Sequence, residues 1–310
     1  MAAELVSYLR STPASNIATH PLLVGAGNDS LADLLELMIS NSVTSLPIFD
    51  EGKQKFIGMV DNISIVGHFA KGFSNIPEEN REEYFKNFNF HGAKIKDIPE
   101  LLHCESAGTV SEESSLFEVM DMLKSFRRVY LEDSEGNAKS VVSQKILLNH
   151  LHKRLAQHPL PCLEKPLSAM VDCSGQVVFI REDSTALDAY RLMWDEKVSG
   201  VPILDNDNHI LSNLSSGDLR ACRWNSGFLE FSALLMNAVD FLRVSRSHDM
   251  NVKAPSIACS VSTPLAQAIT KLVATKVHRL YIKAENSGLA GVLSLTDVLT
   301  ALWDDLQAAQ

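Results

Sequence analysis

The chain has 310 residues, room for one large domain or two ordinary ones, with 45% hydrophobic and 21% charged residues and only 15 glycines and 11 prolines, a balance that excludes a disordered or fibrous protein. Basic residues number 28 against 38 acidic ones, a net charge of −10; this excludes a broad basic face for nucleic acid, but local cations and helix N-termini can still hold a small anion. Five cysteines without a Cys-x-x-Cys pair exclude a disulfide framework or thiolate metal site, and the lack of a signal-peptide core or a long apolar run predicts a soluble protein of a reducing compartment.

In chain order, the first amphipathic segment places Leu31, Leu34, Leu35 and Met38 on one helical stripe behind Ser30, a capping residue type. A short apolar strand, Leu46-Pro47-Ile48-Phe49-Asp50, follows, then a second at Gly58-Met59-Val60 and a helix start near Ser64. Residues 71–98, with Pro77-Glu78-Glu79-Asn80-Arg81-Glu82-Glu83, read as a solvated linker. The pattern then returns: Ser115 before Leu116, Val119, Met120 and Leu123; strands at Val129 to Asp133 and Ser140 to Val142; a helix start near Ile146. His158-Pro159-Leu160-Pro161 reads as the boundary between two halves. Beyond it come Thr185 before Ala186, Ala189, Tyr190 and Met193, strands at Val201 to Asp205 and Leu211 to Leu214, and a helix start near Asp218. Last come Pro264 before Leu265, Ala268, Ile269 and Leu272, strands at Leu280 to Ile282 and Gly291 to Leu293, and a helix start near Asp297.

From Pro47, Tyr130, Pro202 and Tyr281 to the next helix start is 17, 16, 16 and 16 residues. Four nearly equal spacings define a unit of helix, strand, strand, helix, about 60 residues long and too small to bury a core alone. The expected architecture is α/β, with units at 10–70, 99–153, 160–223 and 250–306, the first pairing with the second and the third with the fourth.

This order, with Val201-Pro202-Ile203-Leu204-Asp205 leading to Ser215-Ser216-Gly217-Asp218, resembles the cystathionine-β-synthase (CBS) domain, two of which form a Bateman module. Four copies with a long linker after the first are similar to the gamma subunits of AMP-activated and sucrose-non-fermenting-related protein kinases. Val277-His278-Arg279-Leu280 leading to Gly291 through Asp297 resembles that family's fourth repeat, and Lys53 through Met59 its first. The resemblance implies two Bateman modules in a flat disc and a non-catalytic regulatory subunit that binds AMP, ADP or ATP. Its implied partners are a kinase catalytic subunit and a beta-type scaffold; the implied location is the cytoplasm, with the nucleus as an alternative. A free-standing CBS adaptor for another enzyme or channel is the alternative reading.

Ser215/Asp218 and Ser294/Asp297 fit two chemistries. A carboxylate at a strand-to-helix junction can accept both hydroxyls of a ribose, and Ser-x-x-Asp is also a helix capping pattern; the roles can coexist. Ser64 and Ile146 stand at the equivalent positions. Isoleucine accepts no hydrogen bond, as in the family's second repeat, whereas the family's first repeat keeps an acid, so at most two well-formed sites are expected. The resemblance implies phosphate contacts for His278, Arg279, Arg128 and Lys145, and places Ser199 near ligand; the guanidinium fork suits phosphate oxygens. Repeat one has Thr44-Ser45 there and lacks the arginine.

Leu22 to Val24 followed by Gly25-Ala26-Gly27, with Asp50 after the next strand, mimics a dinucleotide-binding fingerprint and implies a minor alternative, an NAD-binding enzyme. No alternating βαβ series follows. His150 and His152 fall on different helix faces, so no shared metal is expected.

Overall fold

A computed structural model describes the chain except residues 1, 20, 74–75, 81–82, 85–91, 103–107, 172–176, 223–230, 248–256, 286–287 and 310. A helix, α1 (Ala2–Ser11), precedes the repeats. The first repeat is β1 (Gly25–Ala26), α2 (Leu31–Ser40), β2 (Ser45–Asp50), β3 (Lys55–Asp61) and α3 (Asn62–Phe73). The second is β4 (Gly108–Ser111), α4 (Leu116–Met122), β5 (Arg128–Glu132), β6 (Ala138–Ser143) and α5 (Gln144–Gln157). The third is β7 (Ile180–Arg181), α6 (Ala186–Asp195), β8 (Gly200–Leu204), β9 (Ile210–Ser215) and a 3-10 segment, Ser216–Cys222; α7 (Ala238–Ser247) follows. The fourth is β10 (Ala258–Ser260), α8 (Leu265–Thr275), β11 (Arg279–Lys283), β12 (Leu289–Ser294) and α9 (Leu295–Ala308).

Every repeat folds its strands into one three-stranded sheet, the first strand parallel to the second and the third antiparallel to it. The pairing slips at equivalent points, between Ile48/Phe49, Leu131/Glu132, Ile203/Leu204 and Ile282/Lys283. A bulge kept in all four copies is part of the unit. Ser30, Ser115 and Thr185 close capping boxes with Asp33, Glu118 and Asp188, while Pro264 caps without a side-chain bond. The expected helix starts shift slightly: α3, α5 and α9 begin two residues before Ser64, Ile146 and Asp297, and the start near Asp218 opens a 3-10 segment rather than an α-helix.

The grouping of repeats differs from the expected one. One compact unit holds residues 23–105 and 178–256, the first and third repeats; the other holds 1–22, 106–177 and 257–310, the second and fourth. The reason lies in the helices. In α3, Ile65, Val66 and Phe69 are at most 1% exposed, and each such side chain is worth about 1.5–3 kcal/mol when buried. That surface is covered by α6 of the third repeat, whose Trp194 lies on Gly67. Correspondingly, Leu147, Leu148 and Leu151 of α5 share a core with Ala268, Ile269 and Leu272 of α8, and with Leu299 and Leu302 of α9. The proline-flanked stretch does not separate two halves: Leu160 and Leu163 are buried in the core of the second and fourth repeats. Part of the expected linker is also core, since Ile95 and Ile98 are buried with the first and third repeats.

Candidate functional site

In both units the two repeats meet where the second hairpin strand enters the following helix. Four equivalent backbone bonds build this junction. Asn62, Gln144, Ser216 and Leu295 donate their N–H groups to the carbonyls of Thr44, Arg127, Ser199 and His278. One side-chain bond then ties the repeats of each unit together, Asn62 Nδ2 to Ser216 O at 2.7 Å and Gln144 Nε2 to Thr296 Oγ1 at 2.8 Å.

In the unit of the second and fourth repeats this junction collects cations. Arg128 lies opposite Ser143 in the β5–β6 ladder and Arg279 opposite Ser294 in β11–β12. The charges acting on His278 come from Lys145, Arg279, Arg128 and Arg127, all positive, and with desolvation as the leading cause they push its pKa down to about 4. His278 itself remains exposed to solvent. Burial, then the charge of Lys276, lowers the Lys145 pKa, and burial is the first cause lowering that of Arg279, partly offset by Tyr281. Four expected residues, His278, Arg279, Arg128 and Lys145, therefore gather, joined by Arg127 and Lys276. Arg127 was legible in the sequence, since it occupies the position of His278 two repeats earlier.

The Ser-x-x-Asp pairs cap, as one of their two readings requires. Ser294 donates its N–H and Oγ–H to Asp297 Oδ2, both at 2.7 Å, and Asp297 N–H returns a bond to Ser294 Oγ. Ser215 donates to Asp218 Oδ2 at 2.9 and 2.7 Å. In both acids Oδ1 accepts no hydrogen bond among the described residues, so capping leaves one oxygen for a ligand. Asp297 and Ser294 stand beside the cations, while Asp218, Ser215 and Ser199 belong to the other unit. Repeat one reverses the pair: Asp61 Oδ1 accepts from Ser64 N–H at 2.7 Å, and Ser64 Oγ accepts from Asp61 N–H at 3.1 Å. The acid absent at Ser64 is thus present three residues earlier, and Asp61-x-x-Ser64 read backwards would have revealed it. In repeat two Ser143 accepts from Ile146 N–H with no acid present.

Other motifs resolve as structure. A Cβ on Gly25 would stand 2.5 Å from Leu34 Cδ1 and 2.9 Å from Ile48 Cδ1, so that glycine admits helix onto sheet. His150 meets Tyr8 OH at 2.7 Å and His152 meets Thr270 at 3.2 Å. Asp205, Asp207 and His209 cluster at a hairpin. Asp205 Oδ1 accepts the N–H groups of Asp207 and His209, just as Asp50 and Asp133 serve the equivalent turns. No described helix is long and apolar enough to cross a membrane.

Comparison with protein families matches residues 14–71, 170–224 and 249–304 to the CBS domain, together more than half of the chain. The chain belongs to the CBS-domain family. The second CBS repeat falls outside the matched residues, but its sheet, bulge and helices repeat the unit. Among curated relatives, the SNF1-related protein kinase regulatory subunit gamma-like PV42a of Arabidopsis thaliana is 22% identical over 327 residues, covering 88% of this chain and 89% of its own. The SNF1-related protein kinase regulatory subunit gamma-1-like of the same plant is 25% identical over 205 residues, 62% of this chain, and the match spans 45% of that relative's length. The 5'-AMP-activated protein kinase subunit gamma-3 of Sus scrofa is 24% identical, covering 86% of this chain and 50% of its own. The crystal structure of Protein MJ1225 from Methanocaldococcus jannaschii superposes with a TM-score of 0.68 at 17% identity, covering 93% of this chain and 99% of that one, and shares its fold.

Proposed function

We propose that this four-CBS chain is a non-catalytic regulatory subunit that binds adenine nucleotides (AMP, ADP or ATP) between its second and fourth repeats and couples them to a protein kinase. One observation carries the reading: the charges acting on His278 are Lys145, Arg279, Arg128 and Arg127, a concentration of cations in a protein of net charge −10. Like charges held together repel, and a polyphosphate relieves that repulsion. Arg279 and Arg128 offer planar forks to phosphate oxygens, Lys145 a point charge, and His278 a donor once protonated. Asp297 Oδ1 then accepts from ribose hydroxyls. Relatives named as regulatory gamma subunits of SNF1-related and AMP-activated kinases support a kinase catalytic subunit and a beta-type scaffold as partners.

A nucleotide touching both repeats favours the arrangement that it grips better, and its effect is bounded by its differential affinity for the two states. Calorimetric titration with AMP and ATP tests the site: Asp297→Ala and Arg279→Gln are each expected to weaken binding, and unchanged affinity in both would sink the assignment. An affinity pull-down tests the partners. Recovery of kinase catalytic and beta-type subunits is expected; recovery of only an unrelated enzyme or channel would make the chain a free-standing CBS adaptor.

A further inference from the structure

The cations at the junction of the second and fourth repeats are not required by the fold. At the positions of Arg127, Arg128, Lys145, His278 and Arg279 the first and third repeats place Thr44, Ser45, Ile63, Ser199 and Gly200, on equivalent backbone bonds. Short links hold the charged set together. Gln144 N–H donates to Arg127 O at 3.3 Å, the Gln144 amide reaches Thr296 Oγ1 at 2.8 Å, and the neighbouring Leu295 N–H donates to His278 O at 3.2 Å. Arg127 and His278 therefore stand at corresponding strand entrances on either side of one side-chain bond. Both are exposed, as is Lys276, so the set faces solvent.

Lys276 joins the set from a backbone position that glycine would fill more easily. It ends α8 in the left-handed region, with φ 57° and ψ 24°, where a Cβ is strained and glycine is not. Ser42 and Lys197 hold the same turn at φ 54° in the first and third repeats, so the turn belongs to the unit. In the fourth repeat its lysine acts on Lys145, which burial and then that charge hold below the usual lysine range. Among the described residues neither of these two lysines forms an ion pair.

We propose that Arg127 and Lys276 set the specificity of this site by phosphate number, so that it prefers a nucleoside triphosphate to the monophosphate. The proposal rests on the reading above, that the junction holds an adenine nucleotide. A ribose on Asp297 Oδ1 places the first phosphate by the fourth repeat's own Arg279, which faces Ser294, the residue that donates to Asp297. Further phosphates lead away from the ribose, towards Arg127, Arg128 and Lys145 of the second repeat and Lys276 beside them. A monophosphate brings about two negative charges and a triphosphate about twice that. Only the longer chain comes close to neutralising the whole set, whereas the monophosphate leaves like charges facing one another.

Calorimetric titration of the full chain with AMP, ADP, ATP and inorganic tripolyphosphate, without divalent cations, tests this. In the wild type, affinity is expected to rise from AMP to ATP by at least about tenfold. Arg127→Gln and Lys276→Gly should each narrow that ratio to about threefold or less, and Arg127→Lys should keep most of it, because charge rather than fork geometry sets it. Lys276→Gly separates specificity from folding: relief of the left-handed backbone is expected to raise Tm while the ratio falls. A wild-type ratio near one, a ratio kept in either neutral variant, or a ratio lost only together with a lower Tm in both would overturn the proposal. The two readings fail separately. Equal binding of AMP and ATP, abolished by Asp297→Ala, sinks the preference for phosphate number alone. Tripolyphosphate bound as tightly as ATP, with Asp297→Ala without effect, sinks the adenine-nucleotide reading and leaves the charge selectivity standing.

Discussion

Gln144 and Thr296 stand 152 positions apart and are joined by a 2.8 Å hydrogen bond from amide to hydroxyl. The same amide nitrogen reaches Leu123 O at 2.9 Å, and Gln144 is 8% exposed. One side chain therefore holds the end of the second repeat's own α4 and the start of α9 in the fourth. Gln144→Leu keeps the bulk and removes both bonds, leaving the Leu123 carbonyl buried without its donor. The expected loss is about 1–3 kcal/mol, the cost of stranding a buried polar group. Thr296→Ala is expected to cost less, because Gln144 keeps Leu123. Urea denaturation of the two variants checks the order, and equal midpoints would refute it.

The joint between the first and third repeats is steric instead. A Cβ at Gly67 would lie 2.5 Å from Trp194 Cδ2 and 2.7 Å from Cε3. An indole ring cannot yield as the tip of a flexible chain does, so Gly67→Ala is expected to cost about 1–3 kcal/mol through overpacking. Trp194→Leu in the same chain should recover part of that loss, since neighbouring substitutions are not additive. Thermal unfolding of the single and double variants measures the coupling. Purely additive effects would mean that Trp194 does not lie on Gly67 in solution.

The repeat itself was legible because local chemistry wrote it four times. Ser30, Ser115 and Thr185 sit before apolar stripes, and the hairpin spacing scarcely varies. Which repeats share a core was not legible. Gly67 and Trp194 are 127 residues apart, and nothing in an amphipathic stripe names the helix that will cover it. The site was half legible for the same reason. His278 and Arg279 stand out beside a strand, but the convergence of Arg127 and Lys276 depends on pairing the second repeat with the fourth. Asp61 escapes a pattern that fixes the acid after the serine, while a helix start accepts either order.

Cys162 offers a check on burial. Its thiol is pushed up to about 12, first by desolvation and then by Asp305, and the residue is 1% exposed. A thiol so far above neutrality holds almost no thiolate. Alkylation at neutral pH followed by peptide mass mapping should leave Cys162 unmodified in the native protein and modified after denaturation. Asp305→Asn should change this little, because burial is the larger cause; rapid native labelling of Cys162 would contradict the packing of this segment.

His278 gives the sharpest pH dependence. Its pKa falls from 6.5 to about 4 in the fold, through desolvation and then the charges of Lys145, Arg279, Arg128 and Arg127. Between those values the unfolded chain holds a proton that the folded chain refuses, so stability rises with pH. The histidine imposes no penalty above about 6.5, a growing one as pH falls towards 4, and a constant one below. Its exposure to solvent moderates the slope. A bound phosphate reverses the local field and raises the pKa, so nucleotide binding takes up a proton and strengthens as pH falls across the same interval. Urea midpoints and AMP affinities measured through that interval, for wild type and His278→Gln, separate this group from the carboxylates that also titrate there. The expected outcome is a flatter stability slope and a weaker pH dependence of AMP binding in the variant; identical profiles would remove His278 from the site.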